Sequence, residues 1–147
     1  MRILFIIALL YISLVAASQE IPETKKHQVG GHLGFTTGVG ISYRYWPSKL
    51  GVQFTFIPVI YESNTFISLG LTGLYTLGET RYLKPFLYLG NHYVISEDIA
   101  EYNIGFGPGL SVGSVVRFNL MIGYGFYDVL STFNLFPTAE IGVYYKF

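Results

Sequence analysis

From residue 29 to the last residue, apolar side chains recur at every second position with small or polar residues between them. Successive Cβ atoms of an extended chain point to opposite faces, so this period predicts strands with one apolar and one polar face. Eight segments carry it. The first, about 29–36, sets Val29, Leu33 and Phe35 against Gly30, His32, Gly34 and Thr36. A tight Thr37-Gly38 turn leads to the second, in which Val39, Ile41, Tyr43 and Tyr45 oppose Gly40, Ser42, Arg44 and Trp46. In the third, Val52, Phe54 and Phe56 face away from Gln53 and Thr55, and in the fourth, Ile67, Leu69, Leu71 and Tyr75 face away from Ser68, Gly70 and Thr72.

The second half repeats the scheme. Leu83, Pro85, Leu87 and Leu89 oppose Tyr82, Lys84, Phe86, Tyr88 and Gly90, and Ile104, Phe106, Pro108, Leu110 and Val112 oppose Gly105, Gly107, Gly109, Ser111 and Gly113. Phe118, Leu120, Ile122, Tyr124 and Phe126 then alternate with Asn119, Met121, Gly123, Gly125 and Tyr127. The last segment, 140–147, places Ile141, Val143, Tyr145 and Phe147 opposite Glu140, Gly142, Tyr144 and Lys146. The stretches between, "PVIYESNT", "NHYVISEDIAEYN" and "DVLSTFNLFP", read as loops. No segment of helical period competes.

Composition says which way the apolar face looks. The chain is 51% hydrophobic and 18% aromatic but only 12% charged, with 17 glycines. So few charges cannot cover the outside of a soluble domain. Closure satisfies every backbone N–H and C=O where no water is available, so eight antiparallel strands with the apolar face outward predict a transmembrane β-barrel. A soluble lipid-binding barrel would turn the apolar face inward, and the glycine-rich face could not then supply a charged exterior. Residues 1–18, with Arg2 ahead of an unbroken apolar run and small residues at Val15, Ala16, Ala17 and Ser18, read as a signal peptide cleaved after Ala17 or Ser18. Residues 19–28 form a polar leader, and 29–147 form the barrel, one domain. With no cysteine, neither disulfides nor lipidation at the cleavage site enter. A formal net charge of zero leaves no basic footprint for nucleic acid.

The ending Glu140-x-Gly142-x-x-Tyr145-x-Phe147 resembles the polar-x-Gly-x-x-aromatic-x-Phe ending of bacterial outer-membrane barrels. Together with the eight alternating segments it makes the mature chain look like the small eight-stranded, porin-like barrels of the OmpA-domain and OmpX type. That resemblance implies a Gram-negative cell outer membrane, surrounding lipid as the solvent, and recognition of Glu140, Gly142, Tyr145 and Phe147 by the barrel-assembly machinery. With both termini periplasmic, the acids Glu62, Glu97, Asp98, Glu101 and Asp128 fall at the outer loops, and Lys49, Arg81 and Arg117 at the inner turns. Tyr43, Tyr45, Tyr75 and Tyr145 then form one interfacial girdle, and Phe35, Tyr61, Phe66 and Tyr93 the other. Pro85 and Pro108 lie within strands, where each removes a donor, so bulges or locally missing ladder bonds are expected there.

Candidate chemistry belongs on the polar face. An eight-stranded barrel is just wide enough for side chains to fill its interior. Tyr82, Phe86, Tyr88, Tyr127 and Tyr144 are expected to plug the lumen by lying over the glycines, and Arg44, Lys84, Lys146, Glu140 and His32 to be its charged and polar residues. A functional reading makes the bases an anion-attracting floor. The bland reading, hydrogen bonding with Gln53, Asn119 and Tyr144, is preferred because buried charges are normally paired. Lipid-modifying enzymes occur on this scaffold, and His92, Ser96, Glu97 and Asp98 gather a base, a nucleophile and carboxylates, yet their spacing matches no His-x-Ser motif. No metal cluster is visible in the sequence, the "GFGPG" stretch leads no helix, and no cofactor is implied. The reading is a monomeric structural or surface-interaction barrel without catalysis, its loop partner unspecified. The alternatives are a narrow channel or small-ligand carrier and, third, a lipid-modifying enzyme.

Overall fold

The structure, a computed structural model, describes residues 25–61, 64–96, 99–131 and 133–147. The expected signal peptide and most of the leader lie outside the described residues, as do Glu62, Glu97 and Asp98. The elements are β1 (His27–Gly34), β2 (Gly38–Tyr45), β3 (Leu50–Tyr61), β4 (Asn64–Thr76), β5 (Leu83–Ser96), β6 (Ile99–Gly113), β7 (Val116–Tyr127) and β8 (Asn134–Lys146). Each pairs antiparallel with the next, and β1 pairs with β8 from Gln28↔Lys146 to Leu33↔Ile141, which closes the sheet. The fold is all-β, an eight-stranded up-and-down barrel.

Side-chain parity follows the period of two. Along β2 and the residue after it, Ile41, Tyr43 and Tyr45 are exposed on the outside while Ser42, Arg44 and Trp46 are buried in the lumen. The same holds on β8, where Ile141, Val143 and Tyr145 look out and Glu140 and Tyr144 look in. At the end carrying the termini, Tyr43, Tyr45, Tyr75, Tyr145 and Phe147 ring the outside. His27 joins this ring, stacked on Tyr45 at 5.0 Å and Phe147 at 5.9 Å between centroids.

Of the three stretches read as loops, the first two are largely strand among the described residues, and the last four residues of the third are strand. β3 and β4 stay paired to Tyr61↔Asn64, β5 and β6 to Ser96↔Ile99, and β7 and β8 to Tyr127↔Asn134. Composition misled there because a polar strand remains a good strand when a partner accepts its backbone groups. The first hairpin is the exception. β1 and β2 have 8 residues each, against 12 to 15 in the other six.

The strand prolines sit in register without a bulge. Pro85 lies opposite Leu110, and its carbonyl accepts the Leu77 N–H at 3.0 Å just beyond the β4 ladder. Beside Pro108 the β6–β7 pairing lapses between Phe106↔Tyr124 and Gly109↔Met121 and then resumes unchanged, the locally missing ladder expected of a residue without an N–H.

Candidate functional site: the filled lumen

Two different materials fill the interior. In the half nearer the termini these are large side chains. Arg44, fully buried, donates from Nε to Gln53 Oε1 and from Nη1 to Asn119 Oδ1, each at 2.6 Å, and lies 3.9 Å from the centre of the Tyr144 ring. Its guanidinium also faces Phe86 and Trp46, which meet edge to face at 5.5 Å. A planar donor fork can reach acceptors on two strands while its faces lie against rings, which a lysine ammonium cannot do. Below it, Lys84 Nζ lies 4.0 Å over Trp46 and 3.1 Å from Glu79, whose other oxygen meets Arg117 Nη2 at 3.2 Å. Glu79 comes from the β4–β5 turn, so this turn carries a carboxylate back across the mouth to two buried cations.

In the other half the filler is backbone. The tip of the first hairpin, residues 35–38, bends into the barrel, and Thr36, Thr37 and Gly38 are buried there. Gly38 (φ 99°) and Gly40 (φ 133°) take conformations that side chains with a Cβ rarely adopt, and so permit the inward turn. Four strands make room for it. A Cβ on Gly70 would lie 2.0 Å from the Thr37 carbonyl oxygen, and Cβ atoms on Gly90, Gly105 and Gly125 would each run into Thr36 or Thr37.

Polar groups on five strands hold the tip. The Glu140 carboxylate accepts the Thr36 N–H at 3.0 Å and the hydroxyls of Thr36, Thr37 and Thr138. His32 Nε2 lies 2.6 Å from Thr37 Oγ1, whose proton goes to Glu140, so the ring nitrogen is the donor. His92 Nδ1 donates to the Phe35 carbonyl at 2.8 Å, and its Nε2 lies 2.7 Å from Ser68 Oγ, which also accepts the Val39 N–H. Asn103 completes the clasp, donating to Phe35 O and accepting the Asp128 N–H. The Thr36 and Val39 N–H groups and the Thr36 and Thr37 hydroxyls thus each meet an acceptor, as a buried turn favours.

His32, Arg44, Lys84, Glu140, Phe86, Tyr88 and Tyr144 all lie in the lumen. Phe86 does lie over a glycine, with ring atoms 2.4 Å from where a Gly109 Cβ would be. Tyr127 and Lys146 are half-buried at opposite rims. Tyr82 requires correction: it is 54% exposed, because it keeps the inward parity at a level below the end of the enclosed lumen, where Arg81 stacks over it at 5.3 Å. The terminal motif divides between the faces: Glu140 and Gly142 point inward, and Tyr145 and Phe147 are exposed. His92 is engaged by Ser68 and Phe35 rather than facing Ser96 across an open site. Among the described residues no group of three or more acidic, His or Cys side chains could hold a metal ion.

The sequence reading missed Thr36, Thr37, Ser68, Asn103, Glu79 and the inward Arg117, Trp46, Leu74 and Met121 as fillers. Their parity was readable, but a short hairpin folding inward was not. The available signal is four glycines that strand pairing brings to one level, as with Gly90 opposite Gly105 and Gly105 opposite Gly125.

No family model matches the chain, and no curated protein matches it in sequence. Among solved structures, the crystal structure of the N-terminal β-barrel domain of Pseudomonas aeruginosa OprF aligns with a TM-score of 0.51 at 18% identity, covering 82% of this chain and 95% of that one. The solution NMR structure of the de novo designed TMB2.3 aligns at 16% identity with a TM-score of 0.43, over 86% of this chain and 97% of the design. Closed antiparallel topology and the likeness to the OprF domain agree: this chain has the fold of a small eight-stranded outer-membrane β-barrel.

Proposed function

We propose that the protein is an integral outer-membrane barrel whose lumen is sealed and whose role is structural or surface-interacting rather than catalytic. The apolar exterior supports the location. Leu71, Leu87, Leu89, Phe118, Leu120 and Ile122 are all 44% or more exposed on a closed ladder, where only lipid would make exposure favourable. Six strands of 12 to 15 residues exceed the roughly 9–11 that cross a bilayer, leaving paired ends to project as surface hairpins. Export through residues 1–18, periplasmic termini, and recognition of Glu140, Gly142, Tyr145 and Phe147 by the assembly machinery belong to the same reading.

The observation that carries the sealed lumen is the first hairpin tip, held by Glu140, His32, His92 and Asn103 over a level of glycines. A pore needs a continuous polar path, and here a chain segment crosses it above a layer of packed rings and cations. Planar-bilayer recording of the refolded mature protein tests this. The expected result is a bilayer that stays almost silent although the protein inserts and runs heat-modifiably on gels. Stable channels at neutral pH would replace the sealed barrel by the narrow-channel alternative. In cells, removal of Phe147 should impair assembly more than folding in detergent, and equal assembly of both chains would remove the terminal motif from the proposal.

A further inference from the structure

The inward tip leaves a gap in the wall. Pairing of β2 with β3 ends at Ile41↔Phe56, and pairing of β1 with β8 ends at Leu33↔Ile141, although β3 and β8 run on. Among the described residues, 57–60 of β3 and 135–139 of β8 have no strand partner on the side of the gap. On the outside a groove of about 810 Å³ runs from Leu110 on β6 and Leu120 on β7, across Ile141 and Gly31, to Val39 and Ile57 at this seam. That volume is within the range of roughly 300–1,000 Å³ typical of small-molecule sites. The β6–β7 ladder also lapses at Gly107 and Pro108, beside a second outer groove of about 720 Å³, but there both strands stay in register on either side of the break.

We propose that this groove is a fixed binding site for one acyl chain of a bilayer lipid, a site distinct from the fluid lipid around the rest of the barrel. The inference rests on the membrane location proposed above. Three observations choose this occupant. First, a strand from a second copy is disfavoured, since Pro58 and Pro137 stand one on each edge of the gap and each lacks the N–H that strand addition would use. Second, no carboxylate, ammonium or guanidinium group lines the groove, so a lipid headgroup finds no charged partner in it, whereas a hydrocarbon chain does not need one. Third, a Cβ on Gly31 would meet nothing within 4 Å, so the groove floor is open beside Ile41 and Val143 rather than filled by the protein. The lipid's ester carbonyls would lie level with the unpaired strand edges, where backbone N–H groups facing hydrocarbon would otherwise be costly.

The site predicts selective quenching by a brominated chain. Trp46 is the single tryptophan, so Trp46→Phe gives a dark background in which Phe35→Trp reports on the gap and Leu89→Trp on the continuous wall. These positions are similarly exposed, 67% and 63%, and the Gly90 neighbour of Leu89 lies at the level of Thr37. In detergent, equimolar phosphatidylcholine with dibrominated chains should quench the tryptophan at 35 several-fold more than that at 89, and Gly31→Leu should abolish the difference. Ile41→Trp, opposite Gly31, is the second reporter should the Phe35 variant fold poorly. Equal quenching at the gap and the wall, or a difference that survives Gly31→Leu, overturns the site. In vesicles made wholly of the brominated lipid both positions should be quenched, and protection of both would instead overturn the membrane location.

Discussion

The two halves of the lumen meet the same packing requirement by opposite means. Near the termini, Arg44, Trp46, Phe86 and Tyr144 fill it with side chains whose backbones stay in the wall. In the other half, Gly70, Gly90, Gly105 and Gly125 withdraw their side chains and a folded-in hairpin takes the space. Side chains yield by changing rotamer, but a backbone wedged among four strands has nowhere to move. The hairpin half should therefore be the less tolerant of added volume, and the side-chain half the less tolerant of lost hydrogen-bond geometry.

The largest expected effect is at Gly70. Gly70→Leu places a side chain where the Thr37 carbonyl lies and should expel the tip, costing about 3 kcal/mol in denaturant unfolding and giving the barrel measurable conductance. An unchanged, silent barrel would mean the tip is not wedged. Next, Glu140→Gln keeps the shape but removes the charge that accepts from Thr36, Thr37 and Thr138. A loss of about 2 kcal/mol is expected, with greater protease access at residues 35–38.

In the other half, Arg44→Lys retains the charge but cannot span Gln53 and Asn119, and should cost about 1–2 kcal/mol without opening the lumen. Conductance in this variant would mean that the side-chain layer, not the hairpin, is the seal. The smallest effect is a control on the outer face. A Cβ on Gly73 would meet only the Leu89 carbonyl at 3.8 Å, so Gly73→Ala should stabilise by about 0.5 kcal/mol by restricting the unfolded chain. Destabilisation there would show that inner and outer glycines do not differ in the way the contrast requires.

The contrast also separates what the sequence discloses from what it hides. Wall parity is legible because it depends on each residue's own position: Leu87 and Lys84 sort themselves by a period of two whatever their neighbours do. Arg44 and Glu140 are legible as inward groups for the same reason. The hairpin tip is hidden because "FTTGVG" is an ordinary turn sequence, and its place inside the barrel depends on glycines 34 to 89 residues away being brought to one level by strand pairing. Tyr82 shows the converse error. Its parity is correct, but parity does not tell where the lumen ends.

Glu140 and Thr36, bonded directly, are separated by 104 residues, and at the other end of the same closing seam the Phe147 N–H donates to the His27 carbonyl at 2.9 Å. These contacts join the beginning of the barrel to its end, so they cannot form until the last strand is delivered. Topology of this kind makes closure the slow, long-range event in folding. An incomplete barrel would hold Thr36 and Thr37 with no carboxylate to receive them, and the chain would remain unsealed as well as open. The seal is thus a chronological marker: a barrel that has lost its conductance has already been closed.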